Sequence, residues 1–291
     1  MGQFTSIAIF LIYLTALLSS KPLYADQGIF SLLTYNTAGL PSFINGLNHA
    51  RHFEIGKRIN DYDIALIQED FLFHPRLIHQ NTHPYRSEIT EYHDLINLLK
   101  QFKLTADGLH RFSNTPFTPV ERTQWAKCSG YIDKANDCLA KKGFSVARHH
   151  IAEGVEIDIY NLHKEAGGSS SDHEVRALGL IQLQDRMAQS IAEGYAVIMA
   201  GDWNLNRKSD EDITLLDDFI ESTGLIDVSE TLGTQDDYIN QIDRVLFISS
   251  SSLQLTPIHY QDLSEEYVDE HGDDLSDHPP ILVEFLWETI E

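Results

Sequence analysis

Thiol chemistry is almost absent from this chain. Its 291 residues include two cysteines, Cys128 and Cys138, and no Cys-x-x-Cys pair. Two thiols cannot complete a tetrahedral zinc centre by themselves, so a thiolate-only metal site is excluded. The pair reads instead as one disulfide closing a short loop, with two free thiols as the alternative. Basic residues are scarce as well: 21 Lys and Arg face 44 Asp and Glu, giving a net charge of −23. No basic stripe runs along the sequence, and such acidity disfavours loose adhesion to nucleic acid or anionic membranes. It leaves phosphate substrates open, because a bound cation can supply positive charge locally. No apolar run reaches the roughly 20 residues that cross a bilayer comfortably. No internal repeat recurs, and no Pro- or Ser-rich linker divides the chain. What remains is 42% hydrophobic and 10% aromatic, ample for a buried core.

The longest apolar run, residues 7–18, is interrupted only mildly by Tyr13 and Thr15. Behind it come Ser19-Ser20-Lys21-Pro22 and then Leu23-Tyr24-Ala25, which ends in a small residue. That is the shape of a secretory signal peptide cleaved after Ala25. No Lys or Arg precedes the run, so only the amino terminus adds positive charge there; an uncleaved anchor is the alternative. The expected organisation is a signal peptide over 1–25 and a single domain over 26–291, exported to the periplasm or the medium. Cleavage removes Lys21 and no acid, taking the net charge from −23 to −24.

Apolar runs of strand length recur at 29–35, 64–68, 145–150, 155–162, 196–200, 245–249 and 281–286. Helices are expected between them at 49–60, 91–102 and 211–222. Another begins after Gly167-Gly168, where Ser171 can cap it and Glu174 completes a capping box. Val175, Leu178, Ile181, Ala188 and Ile191 then share one face, and Gly194 ends it. The runs on either side of Ala152-Glu153-Gly154 read as a hairpin. Mixed sheets flanked by helices follow, an α/β class. Residues 103–143 read as a long, polar, decorated loop.

The functional signal is where polar residues sit relative to these strands. Asn36, Glu69, His163, Asp202 and Asn204 each fall just past the carboxyl end of an apolar strand, whereas Asp243 and Asp277-His278 precede one. In antiparallel strands the end of one lies beside the start of its neighbour. All eight can therefore meet at one edge. Four carboxylates brought together repel unless a cation or a proton intervenes. Carboxylate and amide oxygens suit a hard ion such as Mg²⁺. The two histidines can transfer protons or stabilise charge. Metal, oxygen ligands and a base are the equipment for attacking a phosphodiester with water. Each residue also has an ordinary reading: Asn36 and Asp202 as turn residues, Glu69 as a solvated helix start, His163 as a hydrogen-bonded surface histidine, Asp277 as shaping the turn before Pro279-Pro280. The ordered set, and no single member, carries the inference.

The segments TYNTAGLP, ALIQED, DIYNLH, GDWNLN, QIDRVLF and LSDHPP, in this order, resemble the motifs of the endonuclease/exonuclease/phosphatase, or DNase I-like, superfamily. The resemblance implies a four-layer α/β/β/α sandwich of two mixed β-sheets. It implies Glu69 as principal metal ligand, with Asn36 supporting it and Asp277 as an acid on the metal side. His278 matches the catalytic base, Asp243 the acid that orients it, and Asp202 and Asn204 the pair that orients the nucleophile and holds phosphate. His163 matches a second histidine found in DNase I and the sphingomyelinases. The stretch Asp137-Cys138-Leu139-Ala140-Lys141-Lys142-Gly143 resembles the Asp-x-Leu-x-x-Lys-Gly of secreted sphingomyelinases, although Lys164-Glu165-Ala166 stands where Leu-Gln-Ala is usual. The implied protein is a secreted phosphodiesterase using Mg²⁺, Mn²⁺ or Co²⁺, a sphingomyelinase-like phospholipase C in peripheral contact with a membrane and without an obligate protein partner. A DNase I-like endonuclease acting on nucleic acid is the alternative, followed by a phosphoinositide phosphatase or a non-catalytic binding module.

If residues 1–25 are a cleaved signal, protein recovered from the exported fraction begins at Asp26. Intact mass of that protein checks this, and a retained Met1 contradicts it.

Overall fold

A computed structural model describes residues 26–40, 50–89, 106–130, 138 and 140–290. The signal segment, the expected helix at 91–102, and Asp137 and Leu139 of the Asp137–Gly143 stretch lie outside the described residues.

Among the described residues, twelve strands form two sheets. The first contains β1 (Gln27–Asn36), β2 (Ile64–Gln68), β3 (Tyr85–Arg86), β4 (His110–Ser113), β11 (Leu253–Asp262) and β12 (Ile281–Thr289), in the order β11-β12-β1-β2-β4-β3. The second contains β5 (Glu121–Gln124), β6 (Gly143–Ala152), β7 (Val155–His163), β8 (Ala196–Asp202), β9 (Ile226–Asp227) and β10 (Asp243–Ile248), in the order β5-β6-β7-β8-β10-β9. Each sheet is mixed: β1–β2 and β7–β8 are parallel, and the other pairings are antiparallel.

Alternation along the strands makes the layers. Phe30 and Leu32 of β1 and Ile64 and Leu66 of β2 face Ile157, Ile159, Ile198, Val245 and Phe247 of the second sheet, the central core. The intervening Leu33, Tyr35, Ala65 and Ile67 pack outward against Ile55 of α1 (Arg51–Arg58) and Leu77 of α2 (His74–Gln80). On the other side, Tyr160, Leu162, Val197 and Met199 pack against Leu180, Leu183 and Met187 of α3 (Ser170–Ala192) and against Leu216 and Phe219 of α4 (Asp210–Thr223). Because both faces of the central strands are covered, they read as mostly apolar runs, as in Ile64–Ile67 and Ala196–Ala200. This is the expected four-layer sandwich.

Three local readings need correction. Ser169, not Ser171, caps α3, and its capping-box partner is Asp172 rather than Glu174. The buried face of α3 runs through Val175, Gly179, Leu180, Leu183, Met187 and Ser190, while Ile181 and Ile191 are exposed. Residues 103–143 are not all loop, since β4 and β5 lie within them as edge-side partners of β2 and β6. The expected disulfide is present: Cys128 and Cys138 are bonded, with a Cα–Cα distance of 5.3 Å.

One glycine is required where the sandwich meets the site. Gly201, just before Asp202, has φ of 147°, and a Cβ there would lie 2.0 Å from the Leu162 carbonyl oxygen. Gly201→Ala is expected to cost about 2 kcal/mol, the scale of overpacking and backbone strain. A lower urea midpoint with an unchanged slope would show it.

Candidate active site

Strand register assembles the site. Parallel pairing sets Asn36 of β1 beside Gln68 of β2, with Glu69 the next residue along. Parallel β7–β8 pairing sets His163 beside Asp202, and antiparallel β8–β10 pairing sets Asp243 opposite Asp202. His278 comes from the loop ahead of β12, and this loop is tied back by Ser276, whose hydroxyl donates to the Asn36 carbonyl at 2.7 Å.

The Asn36 amide nitrogen is the meeting point. It donates to Glu69 Oε1 and to Asp202 Oδ2, both at 3.2 Å, and lies 3.4 Å from His278 Nε2. His278 Nδ1 donates to Asp243 Oδ2 at 2.8 Å; a carboxylate only accepts, so that nitrogen carries the proton. His163 Nε2 lies 3.3 Å from Asp202 Oδ2 and 3.7 Å from Glu69 Oε1. Six of the eight expected residues thus converge.

Two stand apart. Asn204, held at a left-handed φ of 48°, donates its side-chain amide to the Lys164 carbonyl at 3.1 Å, and its backbone N–H to Asp202 Oδ1 at 3.0 Å. Asp277 is exposed, and its charge acts on Glu69 and His278 without joining the cluster. One residue given no role from sequence belongs here. Lys142 is buried, donates to the Lys164 carbonyl at 3.3 Å, and places an ammonium where Glu69, His163 and Asp202 all feel it. Its Lys-Gly pairing ahead of a strand was the available signal.

Charge is concentrated beyond what these cations balance. Burial, with Asp243 and Glu69 nearby, pushes Asp202 up to about 7, although His278 and Lys142 oppose the shift. Burial also raises Glu69 against the pull of Lys142. For His278 burial disfavours the charged ring, but Asp243, Asp202 and Asp277 outweigh it and raise the imidazole to about 10. His163, fully buried beside Lys142 and His278, is held neutral. Asp243 Oδ1 is buried with no hydrogen-bond partner. An orphaned carboxylate oxygen among acids pushed towards protonation is what a hard divalent cation would relieve, so the donor set fits one.

No protein-family model matches the chain. Sphingomyelinases of Mycobacterium tuberculosis and Mycobacterium bovis are 30% identical over 289 residues, covering 93% of this chain. The chain spans about half the length of these relatives, 55%. Among solved structures, a Danio rerio TDP2 in complex with single-stranded DNA product superposes with a TM-score of 0.64 at 16% identity, over 88% of this chain and 98% of that one. A Staphylococcus aureus beta toxin with bound magnesium ions gives 0.61 at 15% identity, over 88% and 99%. The chain is thus related to these sphingomyelinases and has the DNase I-like fold. Within that sandwich, the converging residues occupy the edge where β1, β7 and β8 end and β10 and β12 begin.

In metal-free protein the His278 ring should titrate near 10 rather than near its ordinary 6.5, staying protonated as pH rises through neutrality. A divalent cation shares the same carboxylates, so Mg²⁺ should lower that value. Ring-nitrogen NMR across a pH series measures both. An ordinary value without metal contradicts the arrangement.

Proposed function

We propose that this chain is a secreted, divalent-metal-dependent phosphodiesterase that hydrolyses a phospholipid headgroup, a sphingomyelinase-like phospholipase C. The observation that carries the chemistry is the Asp243–His278 pair aimed into a cluster of oxygen ligands. With Nδ1 committed to Asp243, His278 presents Nε2 to the cluster as the proton acceptor. It takes the proton that water loses as water attacks phosphorus. Asp243 fixes the tautomer and stabilises the imidazolium that forms. Asn36 orients Nε2 and Glu69 at once. Neutral His163 is a hydrogen-bond donor beside Asp202, suited to a non-bridging phosphate oxygen. Asn204 keeps one amide proton beyond its bond to Lys164 and, with Asp202, holds nucleophile and phosphate in line. Glu69, with Asn36, would hold Mg²⁺, or Mn²⁺ or Co²⁺, while Asp277, outside the cluster, adds only its charge; when bound, the ion would offset charge on the phosphate and leaving oxygen.

The lipid reading rests on the 30% identity to proteins named sphingomyelinase, over 93% of this chain. A nuclease is the second reading, favoured by the structural likeness to TDP2 crystallised with a DNA product. Export is part of the proposal. β1 begins at Gln27, so loss of residues 1–25 would leave every described element intact, and a disulfide suits an oxidising compartment.

Mature protein with Mg²⁺, offered sphingomyelin liposomes, plasmid DNA and phosphoinositides in parallel, should release phosphocholine and leave DNA intact. EDTA should abolish turnover; full activity in excess chelator would overturn the mechanism. His278→Ala should lower kcat by roughly 10²–10⁴, the usual worth of a general base, with the melting curve unchanged. His278→Gln should be nearly as damaging. Glu69→Gln should instead raise the Mg²⁺ needed for half activity.

A further inference from the structure

The residue after Glu69 belongs to another group of ligating side chains. Asp70 sits beside His74, from the first turn of α2, and His110, the first residue of β4. The three are 1%, 6% and 6% exposed. One donor atom from each lies within 4.8 Å of the other two. Among the described residues, only this group and Asp202–Asp243–His278 meet that condition. Asp70 Oδ2 is 2.5 Å from His74 Nδ1 and 3.0 Å from His110 Nδ1, and the two rings lie 4.1 Å apart between centroids.

Hydrogen bonding alone does not satisfy the group. His110 Nδ1 is close to Asp70 Oδ2 but not aligned for a hydrogen bond, and Asp70 Oδ1 is buried with no partner. Buried polar atoms without partners are costly. The three side chains bring donor atoms within ligating reach of one another, and a cation among them would satisfy the group.

We propose that Asp70, His74 and His110 form a structural transition-metal site, distinct from the cation of the active site. Two imidazoles and one carboxylate select Zn²⁺ or a cation of similar preference, such as Co²⁺ or Ni²⁺, over Mg²⁺ or Ca²⁺, which take oxygen ligands. Metal entry displaces the proton between His74 and Asp70, and the donors spread to the spacing of ligands around one ion. The gain is positional. The site ties α2 and β4 to the turn that carries Glu69 at a left-handed φ of 53°. That turn is otherwise held by the Asp70 N–H to the Gly108 carbonyl at 3.0 Å, and by the Phe71 N–H to the Glu69 carbonyl at 2.8 Å. The site does not depend on the substrate or chemistry proposed above.

The test is made on the full chain with Mg²⁺ in large excess, so that oxygen-rich sites are filled, followed by Zn²⁺ and desalting. Wild-type protein should retain one Zn²⁺ per chain by elemental analysis. His74→Asn and His110→Asn should each lose it, and Glu69→Gln should keep it. Wild-type crystals equilibrated with Zn²⁺, measured on both sides of the zinc absorption edge, settle the matter even if a variant fails to fold. An anomalous peak about 2.0–2.2 Å from an Asp70 oxygen and from ring nitrogens of His74 and His110 supports the site. The absence of a peak there overturns it, as does zinc that persists in His110→Asn and disappears in Glu69→Gln.

Discussion

Two buried amides hold the sandwich in register. Gln68 of β2 donates to Asn161 Oδ1 of β7 at 2.7 Å, and Asn161 donates in turn to the carbonyls of Ile67 and His110, both at 3.0 Å. The interface around them is apolar, and apolar faces tolerate sliding because the hydrophobic effect has no direction. Hydrogen bonds do have direction, and leaving these unmade in a dry interior is expensive. Gln68 pairs with Asn36 and immediately precedes Glu69, while Asn161 lies two residues before His163. The contact that fixes one sheet against the other thus also fixes the two halves of the site. Arg111 adds a second tie from β4 to the opposite sheet, donating to the Ile159 and Ser145 carbonyls, with its guanidinium lowered to about 9 by burial and by Arg122.

The same rigidity makes an unfavourable charge arrangement permanent. Asp202, Asp243 and Glu69 cannot swing apart, because two of them end or begin paired strands and the third sits in a constrained turn. Their repulsion is answered in part by Lys142 and His278, and the shortfall appears as acids displaced towards neutrality. Stability is given up locally so that ligands stand ready before any cation or substrate arrives.

Most of this could be read from sequence for one physical reason. Central strands buried on both faces are mostly apolar, so the strongly polar residues at their ends stand out, as Asn36 after SLLTY and Asp202 after AVIMAG do. Where that contrast fails, reading fails. β3, β5 and β9 are two to four residues long, and β11 alternates with polar residues and carries Pro257 at an irregularity. The start of α3 was ambiguous because three consecutive serines, Ser169 to Ser171, offer competing caps, and both Asp172 and Glu174 stand three places on from one of them. Ile181 and Ile191 misled about its face, since single exposed isoleucines are ordinary on protein surfaces. Lys142 was marked only by its Lys-Gly pair, and the Asp70–His74–His110 group joins an i,i+4 pair to the first residue of β4, a contact no local pattern encodes.

The pairing of β1 with β12 bears on how such a chain comes to be folded. Gln27 lies opposite Glu288, and the Thr289 N–H donates to the Asp26 carbonyl, so the first strand made takes one partner from the last. β1 is interior to its sheet, flanked by β12 on one side and β2 on the other. During synthesis it must therefore wait, half paired and with one edge open, until β12 emerges. Such high contact order slows folding and keeps the nascent chain extended. The second sheet, with every strand from 121 to 248, can form earlier and act as a template. Because Asn36 lies at the end of β1 and His278 just ahead of β12, the cluster around the Asn36 amide can be complete only once these two strands have paired.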